Sequence, residues 1–122
     1  MEGKLFDSEL RIMNVIWKKG SVTAKEIAQE MKNQVGWSKA TTYTLIRRCI
    51  DKGAIERTDP KFVCRALVSR EEIRHSQVLN LIDKLYDGVP DQLVASLLTR
   101  DKYLSQEKIA ELTKMVLESE EK

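Results

Sequence analysis

Between Ser38 and Arg48 the sequence reads Ser-Lys-Ala-Thr-Thr-Tyr-Thr-Leu-Ile-Arg-Arg, with cations, hydroxyls and methyls recurring at helical spacing. Wound into a helix, Ala40, Tyr43, Thr44, Arg47 and Arg48 share an outer face, and Lys39 and Thr41 lie in the first turn. The inward face is Thr42, Leu45, Ile46 and Cys49. Such an outer face suits the edges of duplex DNA. Lys and Arg reach guanine O6 and N7, Thr and Ala methyls suit the thymine methyl, and one good bidentate pair gives about 1–3 kcal/mol of discrimination. Ser38 suits the N-cap, and the free amides of the first turn favour phosphate. The one acid near this face is Asp51, at its far end. Two alternatives stand beside this reading: Arg47 and Arg48 as a merely solvated basic surface, and Tyr43 as a packing residue rather than a groove contact.

Other chemistries are poorly supplied. His75 is the only histidine, so catalytic and metal sites built on several imidazoles have no material. Cys49 and Cys64 stand fifteen residues apart with no CxxC or Cys/His cluster, which suits buried free thiols and signals neither zinc nor a disulfide framework. No pairing of a nucleophile with a base presents itself. The expectation is a protein that is not an enzyme and takes no cofactor or metal.

The elements that must position this face follow from periodicity and caps. A first helix starts after Asp7 or Ser8 as N-cap and runs to about Lys19 on Leu10, Met13, Ile16 and Trp17, with Gly20 ending it. Thr23-Ala24-Lys25-Glu26 predicts a capping box opening a second helix through Ile27, Ala28 and Met31. Asn33 to Gly36 break the pattern. The third helix then runs from its Ser38 cap until Gly53 stops it in a left-handed C-cap. Trp17 and Trp37 suit helix packing better than base stacking.

After Gly53 the period changes. Ala54–Arg57 and Phe62–Val68 predict two short strands around a Thr58–Lys61 turn, a hairpin from which Lys61, Arg57 or Arg65 can meet phosphate. Three helices followed by a hairpin, with a short turn between the second and third, is the winged helix-turn-helix layout.

The rest is helical. Ser69-Arg70-Glu71-Glu72 predicts a second capping box, opening a helix with Leu79, Ile82 and Leu85 that ends near Asp87-Gly88. Pro90 opens a helix with Leu93, Val94, Leu97 and Leu98, and Ser105 caps a last one with Ile109, Leu112, Met115 and Val116, in which Leu104 and Ile109 form a hydrophobic staple. Three short helices have too little surface to bury each other's apolar faces, and a second copy of the chain would cover them. The expected fold is mostly α with a small β-hairpin: a winged helix-turn-helix domain over residues 1–70 and a helical dimerisation domain over 71–122.

Size and charge agree. The 122 residues allow one domain or a small domain with an appendage, against about 150 residues for a typical domain. Residues 1–70 carry 14 Lys and Arg against 8 Asp and Glu, whereas 71–122 carry 7 against 11, so a basic half and an acidic half sum to the overall +2. No run approaches the roughly 18 uncharged apolar residues of a membrane span, and Glu2, Asp7, Glu9 and Arg11 interrupt any signal-peptide core. A cytoplasmic protein without membrane insertion is expected.

The segments Ser8–Trp17, Trp37–Arg48 and Lys52–Ile55, with Leu104–Leu112 near the end, resemble the BlaI/MecI/CopY repressors of bacterial β-lactam and copper resistance, the last segment matching the penicillinase-repressor branch. The resemblance spans nearly the whole chain in order. It implies a homodimer on an inverted-repeat operator, joined through Leu79, Ile82, Leu85, Leu93, Leu97, Leu98, Ile109, Leu112 and Val116. On the helix and hairpin reading above, the DNA contacts of such a repressor are Ser38, Lys39, Ala40, Thr41, Tyr43, Thr44, Arg47, Arg48 and Lys61. The resemblance also implies control of β-lactam resistance genes and induction by a membrane sensor protease that cuts the dimerisation region, near Ser96-Leu97. Better-known members have Asn-Phe at that bond. Copper-responsive members carry paired C-terminal cysteines that are missing here, which argues against metal sensing by this chain. The alternatives are a repressor of this family answering another signal such as copper, and a winged-helix module that docks an acidic protein.

Overall fold

The computed structural model describes residues 3–99 and 105–120. The order is α1 (Asp7–Lys19), β1 (Val22–Thr23), α2 (Ala24–Val35), α3 (Lys39–Asp51), β2 (Ile55–Thr58), β3 (Val63–Ala66), α4 (Arg70–Leu85), α5 (Pro90–Thr99) and α6 (Gln106–Glu120). The chain divides into two compact units, Met1–His75 and Ser76–Lys122.

In the first unit, α1, α2 and α3 close around Ile12, Met13, Ile16, Ile27, Met31, Ile46 and Cys49, all buried. Each large apolar side chain so enclosed contributes about 1.5–3 kcal/mol relative to exposure. Three local signals shape this bundle. Thr23 Oγ1 accepts the Glu26 amide at 3.1 Å, Ser38 Oγ accepts the Thr41 amide at 3.1 Å, and Gly36 ends α2 at φ 72°. Gly53, at φ 80°, turns the chain out of α3 into β2 as expected.

The structure departs from the sequence expectation at four places. The N-cap of α1 is Phe6, not Asp7 or Ser8: Glu9 folds back and its Oε1 accepts the Phe6 amide at 2.8 Å, which satisfies the helix end from the N3 position. Only half of the first capping box forms, because the Glu26 carboxylate accepts the Thr23 hydroxyl at 3.0 Å instead of the backbone amide. The hairpin is part of a three-stranded antiparallel sheet of order β1-β3-β2, in which Val22 and Thr23 pair with Cys64 and Val63. Of the hairpin strands, Ile55–Thr58 is shifted one residue from the expected Ala54–Arg57, so that Thr58 belongs to β2 and not to the turn, and Val63–Ala66 is shorter than the expected Phe62–Val68, although Leu67 still donates to the Ala54 carbonyl at 2.9 Å. Phe62 is outside the strand because it adopts φ 53°, a left-handed conformation that breaks the ladder.

At the end of this unit Trp17 packs against the core, and its indole Nε1 donates to the Val68 carbonyl at 2.9 Å. Ser69 Oγ then accepts the Glu72 amide at 3.0 Å and starts α4.

In the second unit Ile82 is buried, Leu93 and Ile109 are half-buried, and Leu79, Leu85, Leu97, Leu98, Leu112 and Val116 are exposed in the single chain. Ser105 Oγ accepts the Lys108 amide at 3.1 Å at the start of α6. Leu104, expected to staple onto Ile109, lies outside the described residues. No helix among the described residues is long and apolar enough to cross a membrane.

Candidate nucleic-acid interface

Helix α3 presents two distinct faces. Thr42, Leu45, Ile46 and Cys49 are buried against the rest of the bundle, and Thr42 Oγ1 donates to the Ser38 carbonyl at 3.3 Å, so its hydroxyl is satisfied inside. On the other side Ser38, Lys39, Ala40, Thr41, Thr44, Arg47 and Arg48 are exposed. Ala40, Thr41, Thr44 and Arg48 line a shallow concavity whose floor is Leu45. The Thr44 hydroxyl donates to the Ala40 carbonyl at 3.0 Å, which leaves its oxygen lone pairs free to accept. The face therefore offers cations, hydroxyl acceptors and methyls, the set that duplex base edges and phosphates require.

Tyr43 differs from its neighbours. Its ring is half-buried and meets the Phe62 ring edge-on, with centroids 5.7 Å apart at 88°. Lys39 Nζ lies 5.6 Å from the Tyr43 ring centroid.

Of the cations expected on the hairpin, two are engaged within it. Arg57 lies 3.6 Å above the Phe62 ring and donates from Nε to Asp59 Oδ1 at 2.9 Å. Arg65 pairs with Glu56 across β2 and β3. Lys61 is exposed and has no acidic partner among the described residues. It is the cation the hairpin leaves available to a phosphate.

The site also rests on a pair that sequence reasoning missed. Glu9 is 1% exposed, and its Oε1 accepts from both Phe6 N and Lys52 Nζ, the latter at 2.6 Å. Lys52 Nζ also donates to the Lys4 carbonyl at 2.6 Å and lies 4.5 Å from the Phe6 ring centroid. The pair ties the end of α3 to the start of α1. A signal for it was available: Glu9 stands three, four and seven residues before Ile12, Met13 and Ile16, so an acid falls on the buried stripe of α1 and calls for a cation.

Both thiols are buried and free. Burial pushes the Cys49 thiol up to about 12, with the nearby Glu9 charge acting the same way, and pushes Cys64 up to about 11. Neither is poised as a thiolate at neutral pH. Among the described residues no group of three or more His, Cys, Asp or Glu side chains is placed to hold a metal ion.

Comparison with known proteins places these features in a family. The penicillinase repressor family matches residues 5–118. The methicillin resistance regulatory protein MecI of Staphylococcus aureus strain N315 is 36% identical over 117 residues, covering 92% of this chain and 94% of its own length. The penicillinase repressor of Bacillus licheniformis is 29% identical over 117 residues, covering 94% and 91%. The solution structure of the DNA binding domain of the repressor BlaI superposes with a TM-score of 0.53 at 30% identity, covering 59% of this chain and 93% of that domain. The helix-turn-helix and its three-stranded sheet are thus a winged helix, and the chain belongs to the penicillinase repressor family.

Proposed function

We propose that this chain is a homodimeric transcriptional repressor that binds an inverted-repeat operator and controls β-lactam resistance genes. The observation that carries the reading is the outer face of α3: Lys39, Ala40, Thr41, Thr44, Arg47 and Arg48 stay exposed while the opposite face is buried, in a chain similar to MecI along nearly its whole length. In a winged helix this helix lies in the major groove. Tyr43 serves it by packing on the hairpin, and Lys61 adds a phosphate contact that sets register.

The exposed leucines and valine of α4, α5 and α6 support dimerisation, because a soluble chain that leaves so many large apolar side chains in water gains by covering them with a second copy. Two recognition helices about 34 Å apart, or a multiple of that, then meet two half-sites. Once one half-site is held, the second binds at an effective concentration that raises avidity by roughly 10²–10⁴. Cutting the dimerisation region removes that gain and leaves each recognition helix unchanged. We place the cut at Ser96-Leu97, inside α5, where Leu97 is exposed. A membrane sensor protease is the partner this step requires, and local opening of α5 must precede cleavage, since a helical bond does not fit a protease in extended form.

The test is a binding selection with the purified full chain on random duplex DNA at near-physiological salt. Enrichment of an inverted repeat with half-sites one or more helical turns apart is expected. A folded, dimeric sample that enriches nothing would refute operator binding. For the induction step, the mass of the C-terminal fragment from induced native cells should place its N-terminus at Leu97, and an intact chain after induction would refute proteolysis.

A further inference from the structure

Phe62 stands where four pieces of the first unit meet. Its carbonyl accepts the Ala24 amide at 3.0 Å, at the start of α2. Its ring receives the edge-to-face contact of Tyr43 from α3 and lies 3.6 Å beneath the Arg57 guanidinium of β2. Its backbone, at φ 53°, makes the turn into β3. A left-handed position of this kind suits glycine, and a bulky aromatic residue there works against its own backbone preference. The ring is only half-buried and packs beside the core rather than in it. The backbone cost is offset by what the ring packs against, the core edge, Tyr43 and Arg57. What the ring achieves is contact between the hairpin and the outer edge of the recognition helix. Lys61, the hairpin cation without an acidic partner among the described residues, is its immediate neighbour in the chain.

We infer that Phe62 is a positioning residue for DNA binding: by holding the hairpin against Tyr43, it makes α3 and Lys61 engage one duplex as a single surface. This rests on the operator reading above. Loss of the ring loosens the hairpin tip, although β3 stays paired with β1, and Lys61 then no longer meets its phosphate while α3 still reads its bases.

The experiment measures the affinity of the full-length protein for the selected operator duplex across a range of salt. Each phosphate contact contributes about 0.9 to the slope of log affinity against log salt, so two hairpins in a dimer contribute about 1.8. Phe62→Gly, which suits the backbone at this position, is expected to remain folded by circular dichroism and to lose about that much slope. Lys61→Ala should lose the same amount, and the double variant no more than either alone. Phe62→Tyr should restore the wild-type slope, and Phe62→Leu replaces the glycine variant if that one fails to fold. An unchanged slope in a folded variant, or additive losses in the double variant, would overturn the inference. Free protein gives a readout independent of DNA: nuclear Overhauser contacts between the Tyr43 and Phe62 rings must be present, and their absence overturns the coupling even where the operator is bound. A wild-type protein that binds no duplex specifically would instead refute the operator reading, with the ring contact intact.

Discussion

Lys52 Nζ and Glu9 Oε1 lie 2.6 Å apart although the residues are 43 positions apart in sequence, and Glu9 is buried while Lys52 remains 22% exposed. The contact joins the C-terminal end of α3 to the first turn of α1, and through the Lys4 carbonyl it also holds the segment preceding α1. The second carboxylate oxygen, Oε2, is buried without a hydrogen-bond partner among the described residues, so Lys52 carries most of the compensation for this charge.

Lys52→Met should therefore strand the Glu9 carboxylate. The expected loss is about 3 kcal/mol, at the lower end for a broken buried pair because Lys52 is partly solvated. Urea unfolding measures it. Glu9→Gln in the same background should recover much of the loss, and a double variant as unstable as the sum of the two single variants would mean that the pair is not coupled.

Ser38→Ala removes the side-chain acceptor for the Thr41 amide and should cost about 1 kcal/mol, whereas Ser38→Gly should cost only a few tenths. The same urea experiment separates the two. Equal losses would indicate that Ser38 stabilises the chain through something other than the cap.

The two thiols predict an alkaline weakness. Their folded values, about 12 for Cys49 and about 11 for Cys64, lie above the ordinary 9.0, so their contribution is intact below pH 9 and is lost as pH rises from there toward 11 and 12. In that window the unfolded chain releases protons that the folded chain retains. Each thiol then costs about 1.4 kcal/mol per pH unit. A Cys49→Ala/Cys64→Ala variant should show a shallower fall in unfolding free energy above pH 9. At neutral pH, iodoacetamide should label neither thiol until the protein is unfolded.

Dimerisation and DNA contact should separate cleanly. Leu112→Glu together with Val116→Glu places charge on exposed apolar positions of α6, which an isolated chain tolerates and a buried subunit interface does not. Sedimentation equilibrium should show monomers. Arg47→Ala should leave the dimer intact and weaken operator binding, while Arg65→Ala, already paired with Glu56, should change it little. Monomers in Arg47→Ala would contradict the separation.

Much of the first unit was legible in the chain. The period of Leu10, Met13 and Ile16, the Ser38 cap, the Gly53 stop and the two faces of α3 depend on neighbours within about one turn, and these interactions act wherever the segment sits. The amino-acid order determined these features, and with them the position of the exposed basic face of α3. Tertiary structure decided the rest. β1 is two residues long and exists only because Val22 and Thr23 find Cys64 and Val63. Tyr43, open to either groove contact or packing from its position on α3, turns toward the hairpin because Phe62 is there to receive it. Glu9 falls on the buried stripe of α1, but that its partner is Lys52, 43 residues away, is decided only when the fold brings the two together. Each of these depends on partners distant in sequence, which meet only after the apolar faces of α1, α2 and α3 have closed on a common core.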